Sequence, residues 1–158
     1  MNITVLAVGK LKEKYFEEAC LDYEKRLSRY CRLEVKELPD EKAPQTLSPA
    51  QEEQVKDREG QRLLSQIPPR SQVIALTIGG KPYTSEELAS RMQALQDMGK
   101  DVTFLIGGSL GLSRQAIHRA DEELSLSKLT LPHRLARLVL LEQLYRSFKI
   151  IYKETYHK

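Results

Sequence analysis

Hydrophobic positions along this chain switch repeatedly between a strand-like and a helix-like pattern. Ile3–Val8 (ITVLAV) is short, apolar and β-branched, which predicts a strand buried on both faces. From Lys12 to Tyr30 the side chains Phe16, Ala19, Cys20, Tyr23, Leu27 and Tyr30 recur at helical spacing and predict one buried helix face. Leu33–Leu38 (LEVKEL) alternates apolar and charged positions, as an edge or half-exposed strand does. A polar loop, Pro39 to Pro44, follows. Ser48-Pro49-Ala50-Gln51 then has the chemistry of a helix start: a capping hydroxyl, a proline for the first turn and a glutamine to close the capping box. That helix is mostly polar and runs to about Ser65, before Pro68-Pro69.

The second half repeats the alternation. Val73–Ile78 (VIALTI) predicts a buried strand ending at Gly79-Gly80, and Thr84-Ser85-Glu86-Glu87 is another capping box. Leu88, Met92 and Leu95 mark the inner face of the next helix, which stops near Gly99. Val102–Ile106 (VTFLI) predicts a third buried strand, ending at Gly107-Gly108. Ser113 caps a short helix to about Asp121. Leu124–Leu131 (LSLSKLTL) alternates like a strand or extended segment, and Pro132 opens a long last helix to about Tyr152. Apolar strands alternating with helices predict an α/β fold, a mostly parallel sheet with helices on both faces. No repeat, low-complexity tract or linker divides the chain, so residues 1–158 read as a single domain.

Composition narrows the class. With 158 residues, 41% hydrophobic and 30% charged, a disordered or fibrous chain is excluded. No run approaches the ~18 consecutive apolar residues of a membrane span, and the N-terminus lacks the pattern of a signal peptide. Cys20 and Cys31 have neither metal-ligand nor redox-motif spacing. They read as two free thiols in a reducing compartment, with no metal and a cytoplasmic location expected. Net charge is only +3, but Pro132–Lys158 carries six of the 25 basic residues (Arg134, Arg137, Arg146, Lys149, Lys153, Lys158) and only two of the 22 acidic ones (Glu142, Glu154). The basic excess therefore lies at the C-terminal end. It suits either an anionic partner or the negative end of a helix dipole.

Several constellations can carry chemistry. Ile106-Gly107-Gly108-Ser109-Leu110-Gly111 lies where a strand meets a helix, the edge at which open parallel sheets bind ligands. Leu76-Thr77-Ile78-Gly79-Gly80 is a similar ending. Either is a ligand wall or merely a turn. Neither is a dinucleotide fingerprint, which counts against a nicotinamide cofactor. The run Leu126–Pro132 offers an apolar face and a hydroxyl face, as an adenine-like ring requires, although an edge strand has the same pattern. Leu135, Ala136, Leu138, Val139, Leu140 and Leu141 make the last helix apolar nearly all round, which favours burial against a partner copy. Further along, Glu142, Arg146, Lys149 and Lys153 form one polar stripe in which Glu142 and Arg146 can pair. The tail Tyr152–Lys158 interleaves aromatic and basic residues, the composition of a base-stacking, phosphate-neutralising end or of a frayed terminus.

Val5-Leu6-Ala7-Val8-Gly9-Lys10, Glu59-Gly60, Leu105-Ile106-Gly107-Gly108 with Gly111-Leu112, Leu126-Ser127 through Leu129-Thr130-Leu131-Pro132-His133, Glu142-Gln143-Leu144-Tyr145-Arg146 and Tyr156-His157-Lys158 occur in this order. Together they resemble the ribosomal RNA large subunit methyltransferase H family across essentially the whole chain. No single motif is specific; the combination is. The resemblance implies a SPOUT-class fold with a C-terminal trefoil knot, built from the segments after Gly107 and forming the S-adenosylmethionine pocket. It implies a homodimer that methylates N3 of a pseudouridine in the helix 69 loop of large-subunit ribosomal RNA, on assembled ribosomes. Carried onto this chain, the cofactor residues are Leu76, Gly107, Gly108, Ser127, Lys128, Leu129, Thr130, Leu131 and Pro132. His157, Arg146 and Glu142 are the catalytic candidates: His157 as a base titrating near neutrality, Arg146 as a stabiliser of the ring anion or a phosphate ligand. His133, Arg137, Tyr156 and Lys158 are the candidate RNA contacts. A non-catalytic ribosome-associated RNA-binding protein is the main rival, and a nucleotide-binding oxidoreductase a weaker one.

Overall fold

The computed structural model describes residues 1–42 and 44–158. Ala43, in the expected Pro39–Pro44 loop, lies outside the described residues. In chain order the elements are β1 (Asn2–Val8), α1 (Lys14–Leu27), β2 (Arg32–Leu38), α2 (Pro49–Ser65), β3 (Gln72–Pro82), α3 (Ser85–Asp97), β4 (Val102–Ile106), α4 (Arg114–Arg119), β5 (Glu122–Ser125) and α5 (His133–Ile151). The strands form one sheet in the order β2-β1-β4-β3-β5, and every neighbouring pair is parallel. All carboxyl ends therefore open on the same edge.

The strand period of two divides the core between the sheet's faces. Ile3, Val5, Ala7, Phe104 and Ile106 pack with residues of α1, α3 and α5 on one face. Leu6, Val8, Val73 and Leu105 pack with α2 and α4 on the other. Apolar side chains on both sides explain why β1 and β4 read as continuous hydrophobic runs. β2 lies at the edge and alternates, as expected. Helix starts fall where capping chemistry puts them. Ser48 Oγ accepts from Gln51 N (3.2 Å) while Gln51 Oε1 accepts from Ser48 N (2.8 Å). Thr84 and Glu87 make the same reciprocal pair, and Ser113 caps α4.

Two expectations are corrected. β3 does not end at Gly79-Gly80 but continues to Pro82 through a bulge, with Leu124 pairing both Leu76 and Lys81. A Cβ on Gly80 would sit 2.8 Å from the backbone of Glu123 and Leu124. That glycine serves close approach of two backbones, not termination. In Leu124–Leu131 only the first residues are strand. Ser125 Oγ donates to the Ser127 carbonyl (3.0 Å) and Ser127 Oγ accepts from Leu129 N (3.0 Å). These local hydroxyl bonds compete with the ladder and turn the chain off the sheet.

α5 packs lengthwise against α1 and α3, with Leu140, Leu141, Leu144 and Phe148 fully enclosed. Its first two turns are only half-buried at Leu135, Ala136, Leu138 and Val139. Cys20 and Cys31 are free and buried, and burial pushes each thiol up to about 11. Among the described residues no helix is long and apolar enough to cross a membrane, and no group of three or more His, Cys, Asp or Glu side chains is placed to hold a metal ion.

Leu144→Ala removes a side chain with no exposed surface. It is expected to cost about 2–5 kcal/mol, read as a lowered midpoint with unchanged slope in urea unfolding.

Candidate active site

The carboxyl edge of β3 and β4 holds a cleft of about 430 Å³ whose walls include Leu76, Ile106, Gly107, Gly108, Thr130 and Leu131. A smaller apolar recess adjoins it, sharing Leu76 and Leu131 and adding Leu124, Leu126, Ser127 and Leu129. Of the residues carried over as cofactor contacts, Lys128 and Pro132 line neither space; the rest come together there. Thr77 and Ile78, part of the candidate wall at the end of β3, and Ala136 also line both spaces, though none was carried over as a cofactor contact. Ala136 is signalled only by helical periodicity, which cannot distinguish a core position from a cleft wall. The glycine loop is tight: a Cβ on Gly107 would stand 2.5 Å from the Gly111 carbonyl carbon. The cleft thus offers backbone N–H and C=O groups beside apolar walls, the combination that suits an adenosyl ligand.

His133 stands at the cleft, half-buried. Its pKa is lowered, chiefly by desolvation and then by the Arg134 and Arg137 charges, so the ring is neutral at pH 7. Arg137 is corrected from RNA contact to internal brace. It is 2% exposed, donates from Nη2 to the Gly9 carbonyl (3.1 Å) and pairs with Glu37 (3.3 Å). Glu37 Oε2 also accepts from Leu11 N (3.0 Å), so Arg137 and Glu37 together fix the loop after β1. Arg134 pairs with Glu13 at the start of α1.

Glu142, Arg146, Tyr156 and His157 form one cluster. Glu142 Oε1 accepts from Arg146 Nε (3.0 Å) and Nη2 (2.6 Å) and from the Tyr156 hydroxyl (3.2 Å). The hydrogen-bonded Glu142 carboxylate holds the Arg146 pKa above its ordinary value. The Tyr156 ring is stacked beneath the Arg146 guanidinium (4.8 Å) and edge-on to Tyr145 (4.9 Å), so it is not a free stacking platform. Arg146 Nη1 lies 3.1 Å from His157 Nδ1, and His157 Nε2 lies 2.7 Å from Glu86 Oε1. Arginine only donates, so Nδ1 accepts and Nε2–H donates to Glu86. His157 therefore has no free lone pair in this arrangement. Lys149 pairs with Glu154 (2.6 Å), so the basic excess of the C-terminal stretch is largely spent internally; Lys158 remains exposed.

Fold and cleft together define an α/β protein with an open cleft at the carboxyl ends of its parallel strands, the edge where such sheets bind ligands. The sequence model described as a predicted SPOUT methyltransferase matches residues 1–157. Proteins named ribosomal RNA large subunit methyltransferase H from Listeria welshimeri and Listeria monocytogenes are 53% and 54% identical to this chain over 159 residues, covering 100% of it and of themselves. A solved structure of a probable methylase family protein from Haemophilus influenzae superposes with a TM-score of 0.56 at 12% identity, over 96% of this chain and 66% of that one. The chain belongs to the ribosomal RNA large subunit methyltransferase H family of SPOUT methyltransferases, as the resemblance implied.

Gly107→Ala forces the glycine loop open. Calorimetry is expected to show S-adenosylmethionine binding weakened about tenfold or more, with the far-ultraviolet circular dichroism unchanged.

Proposed function

We propose that this chain transfers the methyl group of S-adenosylmethionine to N3 of a pseudouridine in the helix 69 loop of large-subunit ribosomal RNA. It acts on assembled ribosomes, in the cytoplasm, as a homodimer. The observation that carries this reading is the convergence of Leu76, Gly107, Gly108, Thr130 and Leu131 on one cleft, in a chain 54% identical along its full length to a protein named ribosomal RNA large subunit methyltransferase H.

Leu76, Ile106, Leu131 and Ala136 supply the apolar walls for the adenine, and the backbone of Gly107, Gly108 and Ser127–Pro132 meets its polar edges. The trefoil knot that the resemblance implies falls on the same segments. When bound, S-adenosylmethionine supplies an electrophilic methyl group on a sulfonium. A neutral His133 leaves that cation unopposed. The target nitrogen carries a proton that has to depart. His157 accepts it at Nδ1 once Arg146 turns away, and Arg146 then faces the ring anion. Glu142 orients Arg146, and Lys158 and the half-buried His133 meet the RNA.

Two features support the homodimer. Ala136 lines the cleft, whereas Arg146 lies ten positions further along α5, roughly 15 Å away in one chain at 1.5 Å per residue. Ile78 (56% exposed) and Leu129 (75% exposed) also lie at the cleft, near the half-buried first turns of α5. A two-fold partner covers this apolar patch and brings its own Arg146 cluster to the cleft.

The decisive experiment incubates the protein with radiolabelled S-adenosylmethionine and either separate subunits or whole ribosomes, then maps the label. Label at one large-subunit pseudouridine in whole ribosomes is the expected result. Unlabelled RNA, or no cofactor binding by calorimetry, returns the protein to a non-catalytic RNA-binding role. Arg146→Ala is expected to lower kcat by about 100-fold or more with the cofactor Kd unchanged. Sedimentation at falling concentration should show activity lost with the dimer.

A further inference from the structure

α1 and α5 both run from the carboxyl edge of the sheet back to its amino edge, so their last turns lie together at the edge opposite the cleft. The aromatic and basic tail residues that the sequence singles out are not all spent there. Tyr156 is covered by Arg146 and Tyr145, but Tyr152, where the chain leaves α5, keeps 47% of its surface exposed. Its ring lies nearly parallel to those of Tyr30 (5.7 Å between centroids, 22°) and Phe148 (6.5 Å, 15°). Its hydroxyl accepts from Gln96 Nε2 at the end of α3 (3.1 Å). Three elements therefore hold this ring in one orientation. An exposed aromatic side chain whose pose is fixed in advance loses little freedom when a flat ligand settles on it.

The surroundings of Tyr152 are cationic. Arg29, on the turn after α1, and Lys153 are exposed and have no ion-pair partner among the described residues. The Arg29 charge acts on Glu154, the residue bonded to the Tyr30 hydroxyl, which places the guanidinium at the same helix ends. Glu154 itself is already engaged: it pairs with Lys149 (2.6 Å) and accepts from Tyr30 (2.6 Å). Lys153 is also held at φ +54°, where the chain turns off α5 and glycine is the usual residue. A lysine in that conformation costs stability relative to glycine, so the fold alone does not explain it. Cations suit a helix C-terminus through its dipole. The dipole accounts for neither the half-exposed ring nor the left-handed lysine.

We propose that the joined ends of α1 and α5 form a second RNA-docking point, in which an unpaired base stacks on Tyr152 while Arg29 and Lys153 neutralise the phosphates beside it. The inference rests on the proposed methyl transfer to RNA and adds a contact that holds the strand away from the reacting base. An aromatic face beside free guanidinium and ammonium groups is the chemistry that binds single-stranded nucleic acid with little regard to sequence. Tyr152 stands six positions beyond Arg146, about 9 Å along the helix. In the proposed dimer Arg146 faces the partner's cleft. The docking point then lies within a short stretch of nucleotides of the base to be methylated.

The test measures initial methylation rates on whole ribosomes over a range of salt for the wild-type dimer, Tyr152→Leu, Tyr152→Phe, Arg29→Ala and Lys153→Gly. Arg114→Ala, which removes an exposed cation on α4, is the control. Tyr152→Leu is expected to raise KM about tenfold, with kcat and the cofactor Kd unchanged. Tyr152→Phe keeps the ring and stays near wild type. Arg29→Ala and Lys153→Gly each lower the slope of log KM against log salt by about 0.7. Lys153→Gly melts no lower than the wild type, because glycine suits the left-handed turn. An unchanged KM in Tyr152→Leu, an equal loss in Tyr152→Phe, an unchanged salt slope in the Arg29 or Lys153 variant, or the same effects from Arg114→Ala overturns the docking point. Variants that sediment as monomers overturn it too, since the surface then belongs to the dimer contact. A wild-type protein that labels no RNA overturns the methyl-transfer reading itself, a different outcome from any of these.

Discussion

The site depends on how tightly the chain closes after β4. Gly107 lies against the backbone of Gly111, and Gly108 lies against the Glu59 carboxyl. A strand buried on both faces delivers this loop to the carboxyl edge with no freedom to shift, because every residue of β4 is enclosed. One short loop can then form a wall of two spaces, one beside β3 and one beside β1.

α5 connects the rest. Its first turn carries His133 at the cleft, its second carries Arg137 into the loop after β1, and its later turns carry Glu142 and Arg146. Burial of Leu140, Leu141, Leu144 and Phe148 fixes the rotation of this helix. The polar residues on its other faces are thereby aimed by packing. The half-buried apolar turns at its start are the expense of that arrangement, and they are the surface on which the proposed homodimer would close.

Much of this was legible in the sequence. Period and capping chemistry located the helices and strands, because Ser48, Thr84 and Ser113 each bond the backbone as their residue types favour. Gly79-Gly80 misled because a glycine admitting a neighbouring backbone and a glycine ending a strand look alike in one dimension. Ser125 and Ser127 misled because alternation does not reveal that both hydroxyls bond locally. Arg137 looked like a surface cation until burial tied it to Glu37 and Gly9, contacts over 100 and 128 positions in sequence. Glu59 stood out only as part of a motif; its position behind Gly108 is a tertiary fact. The cofactor residues were named through family resemblance, since composition and spacing alone left both glycine endings open as turns.

The two thiols have a consequence for handling and for life under oxidants. Cys20 and Cys31 lie under α1 and its C-terminal turn, and desolvation keeps each protonated far above neutral pH. A protonated, enclosed sulfur is a slow target for peroxide, disulfides or alkylating reagents. Neither sulfur is therefore placed to act as a nucleophile or to pair in a disulfide without the fold opening.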